Sequence, residues 1–279
     1  MIIGVVIVII VCVYFFMVKP NGRHLVEADE FKKCRLVAHR GLHDNTSEAV
    51  ENSLLAFRLA VEAGYGIEMD VQLSKDGIPV VFHDSLLARV ARDENNQPVQ
   101  GKVCDYTYEE LLQLHLLDSK EKIPTFKEFL NLVNGQVPLI IELKLDDGDK
   151  ELAVCPVVKE MLETYHGLYC IESFNPLAVA WYKKHKPNVM RGQLSTMYTK
   201  NGKHKPIYYM MEYLLLNFIT KPDFIAYDVR YTNNISRKIC YKLFHNTAVS
   251  WTIRSLEELE KVKNEYDIFI FEGCKPSKE

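Results

Sequence analysis

Residues 66–84 read GIEMDVQLSKDGIPVVFHD. Two apolar runs, 66–73 and 78–83, flank Asp76-Gly77, a strong two-residue hairpin turn. They should pair antiparallel, with no helix between them. That decides how the rest of the chain is counted. From Arg35 onward, short β-branched runs alternate with longer stretches of helical spacing. Such alternation argues an α/β fold with parallel strands. The strand candidates are 35–40, 66–73, 78–83, 138–144, 169–174, 190–195, 224–229, 248–253 and 268–272. With 78–83 set aside as the hairpin return, the remaining repeats match a (β/α)8 TIM barrel better than an open sheet. Whether 78–83 enters the barrel wall or crosses its mouth stays open at this level.

Helical spacing marks 52–63, Tyr108–Leu116, Thr125–Val133, Asp149–Thr164, Pro176–Lys184, Ile207–Ile219, Ser236–Phe244 and Ser255–Lys263. Ser255 with Glu258 three residues on is a capping-box pattern. Residues 92–102, RDENNQPVQGK, read as a long polar surface loop.

The chain has 279 residues, 48% hydrophobic and 25% charged, with a formal net charge of −3. It is long enough for one large domain, and it lacks the basic excess of a nucleic-acid binder. Seven cysteines without a CxxC pair argue against a disulfide framework or a structural zinc site.

Met1 to Val18 carry no charge and end at Lys19-Pro20. About 18 apolar residues is near the lower limit for crossing a bilayer. Neither a basic start nor a small-residue cleavage site is present, so an uncleaved single-pass transmembrane helix is expected. Lys19, Arg23, Lys32, Lys33 and Arg35 all follow the run, which leans the main domain to the cytoplasmic side. The expected organisation is a membrane anchor over 1–18, a polar linker over 19–34 and a barrel over 35–279.

In a barrel of parallel strands the C-terminal strand ends build the site. VAHRG (37–41) ends a strand on His39 and Arg40. Glu68 and Asp70 are two apart and point one way. His83 ends the hairpin strand, and Glu142 and Lys144 in IELK (141–144) are again two apart. Burying such groups unpaired would cost several kcal/mol per ion. A divalent cation resolves the clash of carboxylates, and the all-oxygen set Glu68, Asp70 and Glu142 suits Mg²⁺ or Ca²⁺. Arg40 and Lys144 add positive charge for a phosphate oxyanion. Two histidines beside it can supply a general acid and a general base.

Together these residues resemble the glycerophosphodiester phosphodiesterase family. The matching pieces are AHRG (38–41), EN then Ser (51–53), EMDVQLSKDGIPVVFHD (68–84), IPT (123–125), IELK (141–144), SFNP (173–176) and WTI (251–253). The resemblance implies a barrel with a divalent metal that hydrolyses glycerophosphodiesters to sn-glycerol 3-phosphate and an alcohol. It implies His39 and His83 as the acid/base pair and Arg40 and Lys144 as phosphate contacts. Glu68, Asp70 and Glu142 would bind metal. Val50 departs from the family's proline at that place. A membrane-tethered lysophospholipase D-type enzyme and a catalytically silent barrel that binds phosphorylated ligands are the alternatives.

Several readings compete residue by residue. Either histidine alone is as readily structural, and Glu68 and Asp70 alone could simply pair with Arg40 and Lys144. Glu51 is a candidate substrate contact, and Asn52 a candidate helix cap or site residue. Phe174 and Trp251 are candidates to line the glycerol pocket, with rim packing as the other reading. His43 reads as a loop residue. The apolar stretch 207–219 reads as a buried helix, with contact to lipid headgroups as the other possibility.

Overall fold

The computed structural model describes residues 2–23, 25–145 and 152–277. Its strands are β1 (Leu36–His39), β2 (Gly66–Leu73), β3 (Leu139–Leu143), β4 (Tyr169–Ser173), β5 (Arg191–Ser195), β6 (Phe224–Asp228), β7 (Thr247–Ile253) and β8 (Ile268–Phe271). All run parallel, and β1 pairs with both β2 and β8, which closes the sheet into an eight-stranded barrel. Helices flank it, as the alternation predicts.

Strand alternation sorts the side chains into two cores. Ile67, Met69 and Val71 of β2 pack outward with Phe57 and Phe129 of the surrounding helices. Val37, Ile140, Cys170, Phe224, Val249 and Ile270 meet inside the barrel. Glu68 and Asp70 are out of phase with the outward set, so they face the interior.

The hairpin forms, but through a three-residue loop, Lys75 to Gly77, rather than a two-residue turn: Ser74 N donates to Ile78 O (3.0 Å), and Gly77 N, at φ +79, donates to Ser74 O (2.9 Å). Pro79–Val81 runs antiparallel to Val71–Leu73, past the stretch Ile67–Val71 that pairs with β3. The return strand therefore stands outside the barrel wall. Phe82 N donates to Asp70 O (3.1 Å), which sets His83 beside the ends of β2 and β3. Residues 92–102 form the exposed, turn-rich loop that the sequence suggests, tied at its ends. Bridges join Leu86 to Lys102 and Arg92 to Pro98. They belong to a lobe with its own apolar cluster, including Val80, Leu87, Val103 and Leu111.

The expected helices form with three differences. Over Tyr108–Leu116 the helix stops at Leu111, and His115–Leu116 pairs antiparallel with Ala91–Arg92 instead. Leu54–Glu62, Phe126–Val133 and Leu256–Val262 are capped by Ser53, Thr125 and Ser255. The stretch 207–219 is broken into Pro206–Glu212 and Asn217–Thr220. Leu214 takes φ +56 between them, and buried Glu212 accepts from Thr199 N (2.9 Å) and Oγ1 (2.8 Å). The helix expected from Asp149 runs over Val154–Leu162; residues 149–151 lie outside the described residues.

The N-terminus corrects the sequence reading. The apolar run folds as α1 (Ile2–Val18), but no described helix is long and apolar enough to cross a membrane. At ~1.5 Å per residue α1 reaches roughly 25 Å, short of a hydrocarbon core of about 30 Å. Its last turns belong to the folded body instead. Val18 is buried and its carbonyl accepts from Asn217 Nδ2 (2.7 Å). The Tyr14 hydroxyl meets Ser236 Oγ at 2.7 Å. The single-pass transmembrane helix, the membrane as a partner through residues 1–18 and the membrane-anchored, cytoplasm-facing localisation are therefore not supported. The segment 19–34, read as a linker, carries α2 (Val26–Cys34). Ala28 and Phe31, three apart on one face, bury against the barrel's inner cluster.

Candidate active site

The mouth is built where strands stop. β1 ends at His39; Arg40 takes φ +55 and Gly41 φ +81. A Cβ on Gly41 would lie 2.8 Å from the Ala56 carbonyl carbon, so only glycine lets the chain turn this close to the helix. The turn aims the Arg40 amide at Glu68 Oε2 (3.1 Å).

Glu68, Asp70 and Glu142 converge as expected: each offers an oxygen within 4.8 Å of the others, and all three are buried. Lys144 Nζ lies 3.0 Å from Asp70 Oδ1 and 2.7 Å from Glu142 Oε2. Arg40 Nε is 3.6 Å from Asp70 Oδ2, and Asn52 Nδ2 donates to the same oxygen at 2.8 Å. Asn52 thus serves the cluster, while the helix cap falls to Ser53.

Burial, then the charges of Asp70, Glu142 and Glu172, push Glu68 well above the usual carboxylate range. Burial also raises Glu142, against the pull of Lys144. Asp70 is held low although burial opposes it, because Lys144, His83 and Arg40 surround it. Four carboxylates, counting Glu172, face two cations here. One divalent ion would offset that excess, and the all-oxygen donor set suits such an ion.

Both histidines are turned by carboxylates. His39 Nδ1 meets Glu272 Oε2 at 2.5 Å, and its Nε2 lies 3.8 Å from Glu68 Oε2. Burial, then Arg40, lowers its pKa to about 4 against the pull of Glu272. His83 Nδ1 meets Asp84 Oδ1 at 2.6 Å. A carboxylate on Nδ1 fixes the tautomer and leaves Nε2 on the far side of the ring. All seven ionisable residues singled out by sequence therefore lie in one interaction network. His43 is adjacent, its Nδ1 2.9 Å from His39 O.

The remaining candidates take different places. Glu51 is buried and saturated: Oε1 accepts from Arg40 Nη1 (2.8 Å) and Arg89 Nη2 (2.6 Å), and Oε2 from Arg89 Nη1 and Asn45 Nδ2 (2.7 Å each). The Phe174 and Trp251 rings touch edge to face at 5.4 Å and pack on the inner cluster while partly open. The Trp251 indole Nε1 is buried without a hydrogen-bond partner.

Sequence reasoning missed Glu172, Glu272, Asp84 and Arg89. Glu172 is 1% exposed beside the cluster, its Oε2 unpartnered; burial, then Glu142, raises its pKa strongly. Its signal was an acidic residue inside a strand run, YCIES (169–173). Asp84 follows His83 directly. Arg89 and Glu272 carry no local pattern.

A model of the glycerophosphoryl diester phosphodiesterase family matches residues 39–259. The glycerophosphodiester phosphodiesterase of Caldanaerobacter subterraneus subsp. tengcongensis is 31% identical over 175 residues, 58% of this chain and 67% of that protein. That of Bacillus altitudinis is 31% identical over 186 residues, 63% of this chain and 71% of that protein. An Oleispira antarctica phosphodiesterase, solved with the product sn-glycerol-3-phosphate, shares the fold with a TM-score of 0.67 at 24% identity. The match covers 85% of this chain and 92% of that one. The Thermotoga maritima glycerophosphodiester phosphodiesterase matches with a TM-score of 0.63 at 25% identity, over 85% and 93% of the two chains.

Proposed function

Because the chain belongs to the glycerophosphoryl diester phosphodiesterase family and is an enzyme of that class, we propose a specific chemistry for its mouth. It hydrolyses glycerophosphodiesters to sn-glycerol 3-phosphate and an alcohol, by histidine acid/base catalysis beside Mg²⁺ or Ca²⁺. One observation carries the reading: Glu68, Asp70 and Glu142 gather within 4.8 Å, with His39 and His83 at their edge. Metal-assisted hydrolysis follows from the family and this cluster.

Glu68, Asp70 and Glu142 would hold the ion, which would supply positive charge to the phosphoryl oxygens. Arg40 and Lys144 receive the phosphodiester's non-bridging oxygens from the protein side. One histidine takes the proton of the attacking oxygen, and the other gives a proton to the leaving alkoxide. The attacker is water, or the substrate's own glycerol hydroxyl through a cyclic phosphate. Glu51, with both oxygens engaged, acts on substrate through Arg40. Phe174 and Trp251 line the glycerol pocket.

A second reading, lysophospholipase D-type hydrolysis, has one observation in its favour. Phe174 and Trp251 at the mouth stay partly open, and their rings suit an apolar substituent. Assay of glycerophosphocholine against a lysophospholipid, each with and without Mg²⁺ or Ca²⁺, separates the two. His39→Ala and His83→Ala should each lower kcat by about 10²–10⁴. Hydrolysis at the parent rate in either variant contradicts the acid/base assignment.

A further inference from the structure

Arg89 sits on a short 3₁₀ turn, Leu87–Arg89, of the lobe that follows the hairpin. Its guanidinium spans two carboxylates from different parts of the fold. Nε donates to Asp84 Oδ2 at 2.5 Å, while Nη1 and Nη2 donate to Glu51 Oε2 and Oε1 at 2.7 and 2.6 Å. Asp84 is the group that holds His83 Nδ1. Glu51 belongs to the barrel, anchored by Arg40 and Asn45.

We propose that Arg89 is a positioning residue for the reaction: it fixes Asp84 against Glu51, and so aligns the His83 imidazole with the barrel's acidic cluster. The proposal rests on the acid/base role of His83. The planar fork explains why arginine is used. It can pair with Glu51 through both Nη atoms and still present Nε to Asp84. Without it, two carboxylates lose their shared cation and Asp84 can rotate off the imidazole. His83 then loses the partner that sets its tautomer and ring plane.

The fold can stand without the bridge, at some cost in stability. The Arg89 side chain is 47% exposed while its partner Glu51 is 4% exposed, so removing Arg89 withdraws part of the charge that steadies a buried carboxylate. Glu51 keeps Arg40 and Asn45 when Arg89 is gone, so phosphate binding should persist. A variant that folds and binds but turns over slowly is the expected signature.

The test compares Arg89→Met, Arg89→Lys, His83→Ala and the Arg89→Met/His83→Ala double variant on glycerophosphocholine with saturating cation. Arg89→Met should lower kcat by about tenfold or more, with KM within about threefold of the parent. Arg89→Lys should recover part of the loss, because an ammonium can hold one carboxylate but not both in this geometry. In the His83→Ala background, Arg89→Met should cost under about twofold in kcat, since the group it aligns is absent. Two results overturn the proposal. One is Arg89→Met at the parent kcat while His83→Ala abolishes turnover. The other is a full, multiplicative loss in the double variant, which marks a general structural role. If His83→Ala itself keeps the parent kcat, the acid/base reading fails, and the alignment of His83 fails with it.

Discussion

Glu51 lies 4% exposed between two guanidiniums. Burial opposes its charge, yet hydrogen bonds from Arg89 and the field of Arg40 and Arg89 bring its pKa down from 4.5 to about 2. A folded pKa below the unfolded one adds stability that is complete above about pH 4.5 and lost as pH falls through about 2. Exposure of Arg89 screens part of it, leaving roughly 1–3 kcal/mol. Unfolding of the parent and Glu51→Gln by denaturant at stepped pH measures this. The variant should be less stable at pH 7 and lose less between pH 5 and pH 2. Parallel curves would contradict the assignment. At this scale the sequence was legible where spacing marked a pair, as in Glu68 with Asp70 and Glu142 with Lys144. Glu172, Glu272 and Arg89 had no such partner nearby in sequence. Their roles depend on contacts that only the closed barrel creates.

The strands and turns were legible where local chemistry decides. Asp76-Gly77 marked the hairpin and Ser255 a helix start, while the cap of Leu54–Glu62 fell to Ser53 rather than to Asn52. The broken helix around Leu214 was not, because buried Glu212 is fixed by Thr199 from another segment. The apolar run at the N-terminus formed its helix, but its end was captured by Ser236 and Asn217. Composition could not report that docking. One glycine shows how tightly the elements fit. A Cβ on Gly192 of β5 would fall 2.1 Å from the Phe224 ring of β6. Phe224 is fully buried and has little room to yield, so Gly192→Ala should cost about 1–3 kcal/mol by overpacking. An unchanged urea midpoint would show that the ring can move aside.

The whole molecule works by bringing distant strand ends to one mouth. His39 and Glu272 are in contact at 2.5 Å across 233 positions of sequence. Barrel closure of β1 on β8 creates that contact, and the same closure sets the histidine beside Glu68. The alternation of strand and helix made the barrel legible. The lobe carrying Asp84 and Arg89 was not, because its apolar cluster is assembled from short, separated runs without a strand or helix period. At this scale one claim governs the rest: a cation held by Glu68, Asp70 and Glu142 is part of the catalytic site. Release of glycerol 3-phosphate from glycerophosphocholine, measured as Mg²⁺ or Ca²⁺ is titrated into chelator-stripped protein, tests it most directly. Turnover should vanish on stripping, return with the ion, and fail to return in Glu68→Gln. Hydrolysis at full rate after exhaustive chelation would contradict it.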